Sequence, residues 1–221
     1  MEGKLIILEG LDGCGKSTQL MLLGEKFPGA RFLTFPNYDA PSGAMITEYL
    51  KTGYGEQDPA ASAYSASMLY AADRYVSYRK DWAAAYQAGQ TMISARYTTS
   101  NAIYQMTKLP RPAWDDYLAW IRDLEYAKLR LPEPDLVLFL DVPVEVSQAL
   151  LSVRYGGDEG KKDLHEADTD YLRACRDAAV YASAASPRPW KWIDCTAQGR
   201  MRSPGEIHKE LAACIAEVLQ A

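Results

Sequence analysis

Histidine is nearly missing from this chain, with two residues, and cysteine is scarce, with four. Cys14, Cys175, Cys195 and Cys214 stand far apart, in no spacing that would clamp a metal, which excludes a zinc ribbon or a cysteine-held cluster. They read as reduced, unpaired thiols of a cytoplasmic protein. No apolar run approaches the ~20 residues that cross a bilayer. The one early run, Leu5–Leu8, is too short for a secretory signal. Positive charge is not in excess either. Lys and Arg number 24 against 29 Asp and Glu, for a formal net charge of -5, so this is no polycation built for nucleic acid. Internal repeats, low-complexity tracts and a convincing linker are all lacking, so residues 1–221 read as a single domain. Apolar residues are plentiful, at 48%, enough for a real core.

Short apolar runs alternate with helical patterns, which predicts an α/β fold: a doubly wound, five-stranded parallel sheet with helices on both faces. The expected strands are Lys4–Glu9, Arg31–Phe35, Gln90–Ser94, Asp135–Asp141 and Trp190–Asp194. The fourth is apolar throughout and reads as central. Helices are expected over Lys16–Phe27, Ala60–Ala88 with a possible break, Ser100–Thr107, Pro112–Leu129, Val144–Val153, Thr169–Ala184 and Pro204–Gln220. In Pro112–Leu129 the spacing of Trp114, Leu118, Ile121 and Leu124 predicts one buried face. Thr52–Asp58 and Gly156–Lys162 read as mobile loops.

Between the first strand and the first helix stands Gly10-Leu-Asp-Gly13-Cys14-Gly15-Lys16-Ser17, which fits G-x-x-x-x-G-K-[ST]. Glycines let backbone N–H groups turn inward around phosphate oxygens, and the helix N-terminus adds positive potential. Gly10, Gly13, Cys14, Gly15, Lys16, Ser17 and Thr18 are therefore the expected ATP-binding residues. Lys16, in what reads as an exposed loop, should reach the β- and γ-phosphates, and the Ser17 hydroxyl should hold Mg2+. Two absences narrow the class. The guanine-reading Asn-Lys-x-Asp motif of switch GTPases is missing. So is the acidic pair that motor ATPases place at a buried strand end, since Asp141 ends its strand alone.

Four segments, in order, resemble the thymidylate kinases among the P-loop nucleoside monophosphate kinases. They are Leu8 to Thr18, Leu69-Tyr70-Ala71-Ala72-Asp73-Arg74, Ala95 to Gln105, and Pro134 to Pro143. The resemblance implies transfer of the ATP γ-phosphoryl group to dTMP, giving dTDP, by a Mg2+-dependent homodimer with no polymeric nucleic acid and no membrane among its partners. A kinase for another deoxynucleotide or nucleoside is the alternative of the same class. A catalytically silent nucleotide-binding protein is the alternative of another class.

Site residues follow from residue chemistry and resemblance together. Tyr70 and Arg74 are four apart on a helix, so a ring can stack on a base while a guanidinium donates to its carbonyl oxygens. The family uses this pair for thymine, although spacing alone also fits a core tyrosine beside a surface arginine. Asp12 would repel phosphate, but it makes sense as an acceptor for a sugar hydroxyl, or as a cap on its own loop. Arg96 should clamp phosphate between donor and acceptor. Ser100, Asn101 and Tyr104 should start the next helix and face the cleft. There Asn101 offers donor and acceptor to a pyrimidine edge and Tyr104 crowds the 2′ position; helix capping and packing is the other reading of all three. Phe35 should wall the acceptor pocket. Arg154, Lys161 and Lys162, in a lid over 154–166, should neutralise the transferring phosphoryl group, because positions 11 to 14 carry no arginine.

Two further absences depart from the family pattern. No arginine occurs from Phe35 to Lys51, where relatives commonly hold one near the acceptor phosphate. And Ala95 stands where the family motif has aspartate, a residue implied to organise Mg2+ and acceptor. A disabled form, a variant in which Glu9, Asp163 or Glu166 compensates, and a binder without catalysis remain open readings.

Overall fold

The computed structural model describes residues 2–158 and 168–220, without the side chain of Arg154. The sheet has five parallel strands in the order β2-β3-β1-β4-β5. They are β1 (Leu5–Glu9), β2 (Arg31–Thr34), β3 (Met92–Ala95), β4 (Leu136–Asp141) and β5 (Trp190–Asp194). All five expected strands are present. One boundary matters. Ala95 was expected just past its strand, but it is the last residue of β3, in register with Leu8 on one side and Thr34 on the other.

The period of two along the strands divides the core. Ile6, Leu8, Ile93, Leu138 and Leu140 face one side of the sheet and pack on Leu23, Ile207, Leu211 and Ile215. Those partners come from α1 (Lys16–Lys26) and from the last helix, α9 (Pro204–Gln220). Leu5, Ile7, Met92 and Val137 face the other side and pack on Trp82, Tyr86 and Tyr97. The central strands are apolar on both faces because helices cover both, as a parallel sheet requires.

α2 (Pro41–Thr52) was not legible as a helix, and its Gly43 lies close against Asn37 and Tyr38 of the loop that follows β2. The expected long helix is three pieces: α3 (Pro59–Ser77), a wide π turn over Tyr78–Trp82, and α4 (Ala83–Gln87). α5 runs over Thr98–Tyr104, so Tyr104 lies at its end rather than its start. α6 (Trp114–Arg122) continues into a second π turn, Asp123–Lys128. Along this segment Trp114, Tyr117, Ile121 and Glu125 are buried, whereas Leu118 and Leu124 are only half-buried, so the inward row differs from the expected one. α7 (Val144–Arg154) and α8 (Thr169–Ala185) precede β5. A two-residue-strand hairpin, β6 (Thr196–Ala197) with β7 (Arg200–Met201), precedes α9. In Thr52–Asp58 a short 3-10 turn occupies Gly53–Gly55. Most of the expected lid, including Lys161, Lys162, Asp163, His165 and Glu166, lies outside the described residues.

β1 hands the chain to α1 on one face of the sheet, while β3, its neighbour, hands it to α5 on the other. The connections diverge between these strands, and the crevice beyond their carboxyl ends is where open α/β sheets bind ligands.

Candidate active site

The phosphate loop fills that crevice. Gly10 has φ 142, and a Cβ there would meet Cys14 Sγ at 2.6 Å and the Leu140 carbonyl at 2.8 Å. Gly13 has φ 79, and its Cβ would meet Leu151 and the Ser147 carbonyl at 2.9 Å. Only glycine serves at either place. Gly15 caps α1, and Lys16, Ser17 and Thr18 form its first turn. Lys16 is not exposed as expected: it is 9% exposed, and its ammonium donates to the carbonyls of Gly10 and Leu11, each at 2.8 Å. The ammonium is a buried donor folded over the loop. Ser17 and Thr18 are exposed on the wall of the cleft.

That cleft, of about 770 Å³, is also lined by Phe35, Ala95 and Arg96. At its far end stand Gln19, Met201, Arg202, Pro204 and Ile207. Gln19 Nε2 donates to the Pro204 carbonyl at 3.0 Å, tying α1 to the segment after the hairpin. The Arg202 guanidinium donates to the Asp194 carbonyl at 2.5 Å and to Glu210 at 2.8 Å. Sequence reasoning missed this end altogether, because a hairpin with two-residue strands leaves no periodic signal.

A second, narrower pocket adjoins the first through Asp12, Phe35 and Arg96. Asp12 is tied across this pocket. It accepts from Arg96 Nη2, and from the Tyr104 hydroxyl at 3.3 Å. Arg96 takes a left-handed backbone, φ 65, and its guanidinium lies 4.8 Å from the centre of the Tyr104 ring. Burial works against the Arg96 charge, but Asp12, Tyr104 and Glu9 together outweigh it, so the guanidinium is held well above its ordinary value. The same burial raises the Tyr104 phenol well above its usual range.

Tyr70 and Arg74 line this pocket from α3, with Ser100, Asn101 and Tyr104 from α5 opposite. Burial keeps the Tyr70 phenol protonated far into alkali. Arg74 is not a surface residue: it is 2% exposed and grips Glu125 with two parallel bonds, Nε to Oε2 at 2.6 Å and Nη2 to Oε1 at 2.5 Å. Its Nη1 donates to the Tyr97 carbonyl at 3.3 Å. Three of its five N–H groups are thereby used, and two remain. Burial lowers the Arg74 pKa and Glu125 raises it by more, so the charge is secure.

Asn101 departs from the expectation of a mixed donor and acceptor. Its Nδ2 donates to Glu125 Oε1 at 3.2 Å and to the Ser67 carbonyl at 3.3 Å. Both partners are acceptors, which fixes the amide orientation and leaves the Asn101 carbonyl oxygen for the pocket. Ser100 lines the pocket as expected. Its hydroxyl is spent on Glu9, at 2.8 and 3.0 Å.

Glu9 is fully buried, and besides Ser100 it accepts from Thr99 Oγ1 at 2.6 Å and from the Tyr97 amide at 3.3 Å. It thereby holds the start of α5. Asp141 is likewise taken by Arg176, at 2.8 and 2.7 Å. Ala95 itself is 4% exposed on the cleft wall. No group of three or more metal-binding side chains occurs among the described residues. Two residues that shape the pocket escaped the sequence. Asp73 accepts from the Asn37 amide at 2.8 Å and from Ser42 Oγ at 2.6 Å, pinning the loop that carries Tyr38 to the pocket. Glu125 had one available signal, a lone carboxylate in step with Tyr117 and Ile121 on an inward row.

Comparison with known proteins agrees with this geometry. The family described as "Thymidylate kinase" matches residues 8–200. A probable thymidylate kinase of Pyrobaculum aerophilum is 30% identical over 216 residues, covering 97% of each chain. A thymidylate kinase of Mycobacterium tuberculosis is 32% identical over 216 residues, covering 94% of this chain and 97% of its own. Among solved structures, a thymidylate kinase from Candida albicans superposes with a TM-score of 0.70 at 21% identity, covering 98% of this chain and 92% of its own, which speaks for the fold. The chain belongs to the thymidylate kinase family.

Proposed function

We propose that this chain, acting as one domain, transfers the γ-phosphoryl group of ATP to dTMP, giving ADP and dTDP. The observation that carries the acceptor is the pairing of Arg74 N–H groups with the Asn101 carbonyl oxygen in one pocket. Thymine presents a carbonyl oxygen beside a ring N–H, which matches a donor beside an acceptor. Cytosine presents the reverse, an amino group beside a bare ring nitrogen, and would set like against like. Tyr70 supplies a protonated aromatic face for stacking.

The chemistry is positioning and charge. An oxygen of the dTMP phosphate attacks the γ-phosphorus, the bond to the β-bridging oxygen breaks, and ADP leaves with the electron pair. Arg96 lies where the two pockets meet, suited to bridge the donor and acceptor phosphates, with Asp12 and Tyr104 holding its guanidinium in place. Lys16 brings an ammonium to the phosphate loop, held by the Gly10 and Leu11 carbonyls, and Gln19, Arg202 and Pro204 offer a place for the donor nucleoside. Mg2+ fits in a limited way. The hydroxyl of Ser17 is exposed on the cleft and would be its protein ligand, phosphate oxygens and water making up the rest, as this ion accepts. Bound there, the ion would neutralise the developing phosphate charge. Ala95 leaves no carboxylate at the strand end, so we read turnover as weakened. Arg154, at the end of α7, and Lys161 and Lys162 beyond it belong to the proposed lid. No helix among the described residues is long and apolar enough to cross a membrane. A cytoplasmic homodimer working on free nucleotides completes the reading.

The test is ADP release with a panel of nucleoside monophosphates at fixed ATP. dTMP should give the highest kcat/KM. A purine monophosphate or dCMP in first place would overturn the proposal.

A further inference from the structure

The acceptor pocket has a second layer behind it. Glu125 is completely buried, 0% exposed, and comes from the π turn after α6 rather than from the elements that line the pocket. Four donors converge on it: Arg74 twice, Thr98 Oγ1 at 2.9 Å on Oε2, and Asn101 Nδ2 at 3.2 Å on Oε1. Each carboxylate oxygen takes two of them, so its acceptor capacity is full and its charge is matched by Arg74. The pocket's two base-reading groups are therefore both fastened to one carboxylate.

We propose that Glu125 is the positioning residue that makes this pocket select a thymine-like base over cytosine, by orienting both Arg74 and Asn101. An ionised carboxylate can only accept. With the Ser67 carbonyl it therefore obliges Asn101 to turn its NH2 inward, leaving the side-chain carbonyl oxygen for the ligand, and it holds the guanidinium of Arg74 in the pocket lining with two N–H groups unused. Tyr117 reinforces the setting from the same helical segment. Its hydroxyl lies 2.6 Å from Ser67 Oγ and donates to the Asn101 carbonyl of the main chain at 3.3 Å. The Ser67 main-chain carbonyl is the other acceptor for Asn101 Nδ2. A neutral amide at position 125 presents a donor as well as an acceptor. Only the Ser67 carbonyl then still opposes reversal of Asn101, and a reversed Asn101 offers its NH2 to the ring nitrogen of cytosine.

The inference rests on the proposed dTMP kinase reading, and its test separates the two. The kcat/KM ratio for dTMP over dCMP is measured for the unaltered protein, for Glu125→Gln and for Glu125→Gln combined with Asn101→Asp. A ratio does not depend on how much of a preparation is folded. The unaltered protein should favour dTMP. Glu125→Gln should lower the ratio at least about tenfold, through a higher dTMP KM more than through kcat. The double variant moves the carboxylate to position 101, where it can accept from the thymine N–H and from the amide introduced at position 125, and should recover part of the preference. A dTMP preference that survives Glu125→Gln unchanged overturns the positioning role and leaves the kinase reading intact. A drop that the double variant does not reverse also counts against it, since general loosening of the pocket would give the same fall. If the unaltered protein does not favour dTMP over dCMP, the acceptor reading fails and this inference fails with it. For a milder perturbation, Thr98→Val removes one of the four donors and should lower the ratio in the same direction by a smaller factor; no change there, with Glu125→Gln also silent, would end the proposal.

Discussion

Replacing Ala95 with aspartate tests how the site manages charge. Ala95 closes β3 at the carboxyl edge of the sheet, 4% exposed, on the wall shared with the phosphate loop and Arg96. The nearby carboxylates are committed elsewhere: Asp12 to Arg96 and Tyr104, Glu9 to the start of α5, Asp141 to Arg176. A carboxylate at position 95 would thus be the first in this cleft, among the described residues, free to act on a metal-bound water. Burying it without a partner would cost stability, on the order of several kcal/mol, but Arg96 and Lys16 share the cleft and offset part of this. Ala95→Asp is expected to raise kcat with ATP, dTMP and Mg2+ at least about tenfold, equal to about 1.4 kcal/mol of the barrier, and to lower the Mg2+ concentration for half-maximal rate. Stability should fall modestly. The assay is steady-state turnover of both forms across a Mg2+ titration, with thermal melting alongside. An aspartate form that folds, binds both nucleotides and is no faster at any Mg2+ concentration would refute the reasoning. Another carboxylate would then already do this work, with Glu9, Asp163 and Glu166 as the next candidates.

Lys16→Ala should lower kcat by at least about a hundredfold, because it removes the ammonium that the loop carbonyls hold at the phosphate loop; unchanged turnover would remove the loop from the mechanism. Tyr70→Ala should weaken dTMP binding by about 1–3 kcal/mol in calorimetry, and equal affinity would exclude stacking. Burial pushes the Cys175 and Cys195 thiols up to about 12. The unfolded chain releases those protons from about pH 8.5, so their contribution to stability is complete below that pH and is lost as pH rises toward the folded value. Urea midpoints should therefore fall with rising pH less steeply in a Cys175→Ala, Cys195→Ala double variant than in the unaltered protein; parallel slopes would contradict the burial argument.

What the sequence made legible is what local chemistry dictates. The phosphate loop reads directly because glycine at Gly10 and Gly13 is demanded by backbone angle and close approach. β4 reads directly because only a strand covered on both faces is so uniformly apolar. α2 was hidden by its own composition. Pro41 stands at its start, and Gly43 is needed where a Cβ would come within 2.1 Å of the Asn37 carbonyl, so the stretch looks like a loop. The site residues were found more readily than their roles. Tyr70, Arg74, Asn101 and Arg96 do line the pocket, but which atom each presents is decided by partners remote in the chain. Arg74 and Glu125 are 51 residues apart, and Arg96 and Asp12 are 84 apart. No periodicity reports such pairings. The inward phase of α6 was misjudged for a related reason: a buried ion pair made Glu125 an interior residue, where hydropathy favours Leu124.

The most direct test of the central claim follows the phosphoryl group itself. ATP labelled at the γ-phosphate is incubated with the protein, dTMP and Mg2+, and the nucleotides are separated. The label should appear in dTDP, one for one with the ADP formed. Label released as inorganic phosphate, or left in ATP while both nucleotides bind, would contradict a thymidylate kinase built on this pocket.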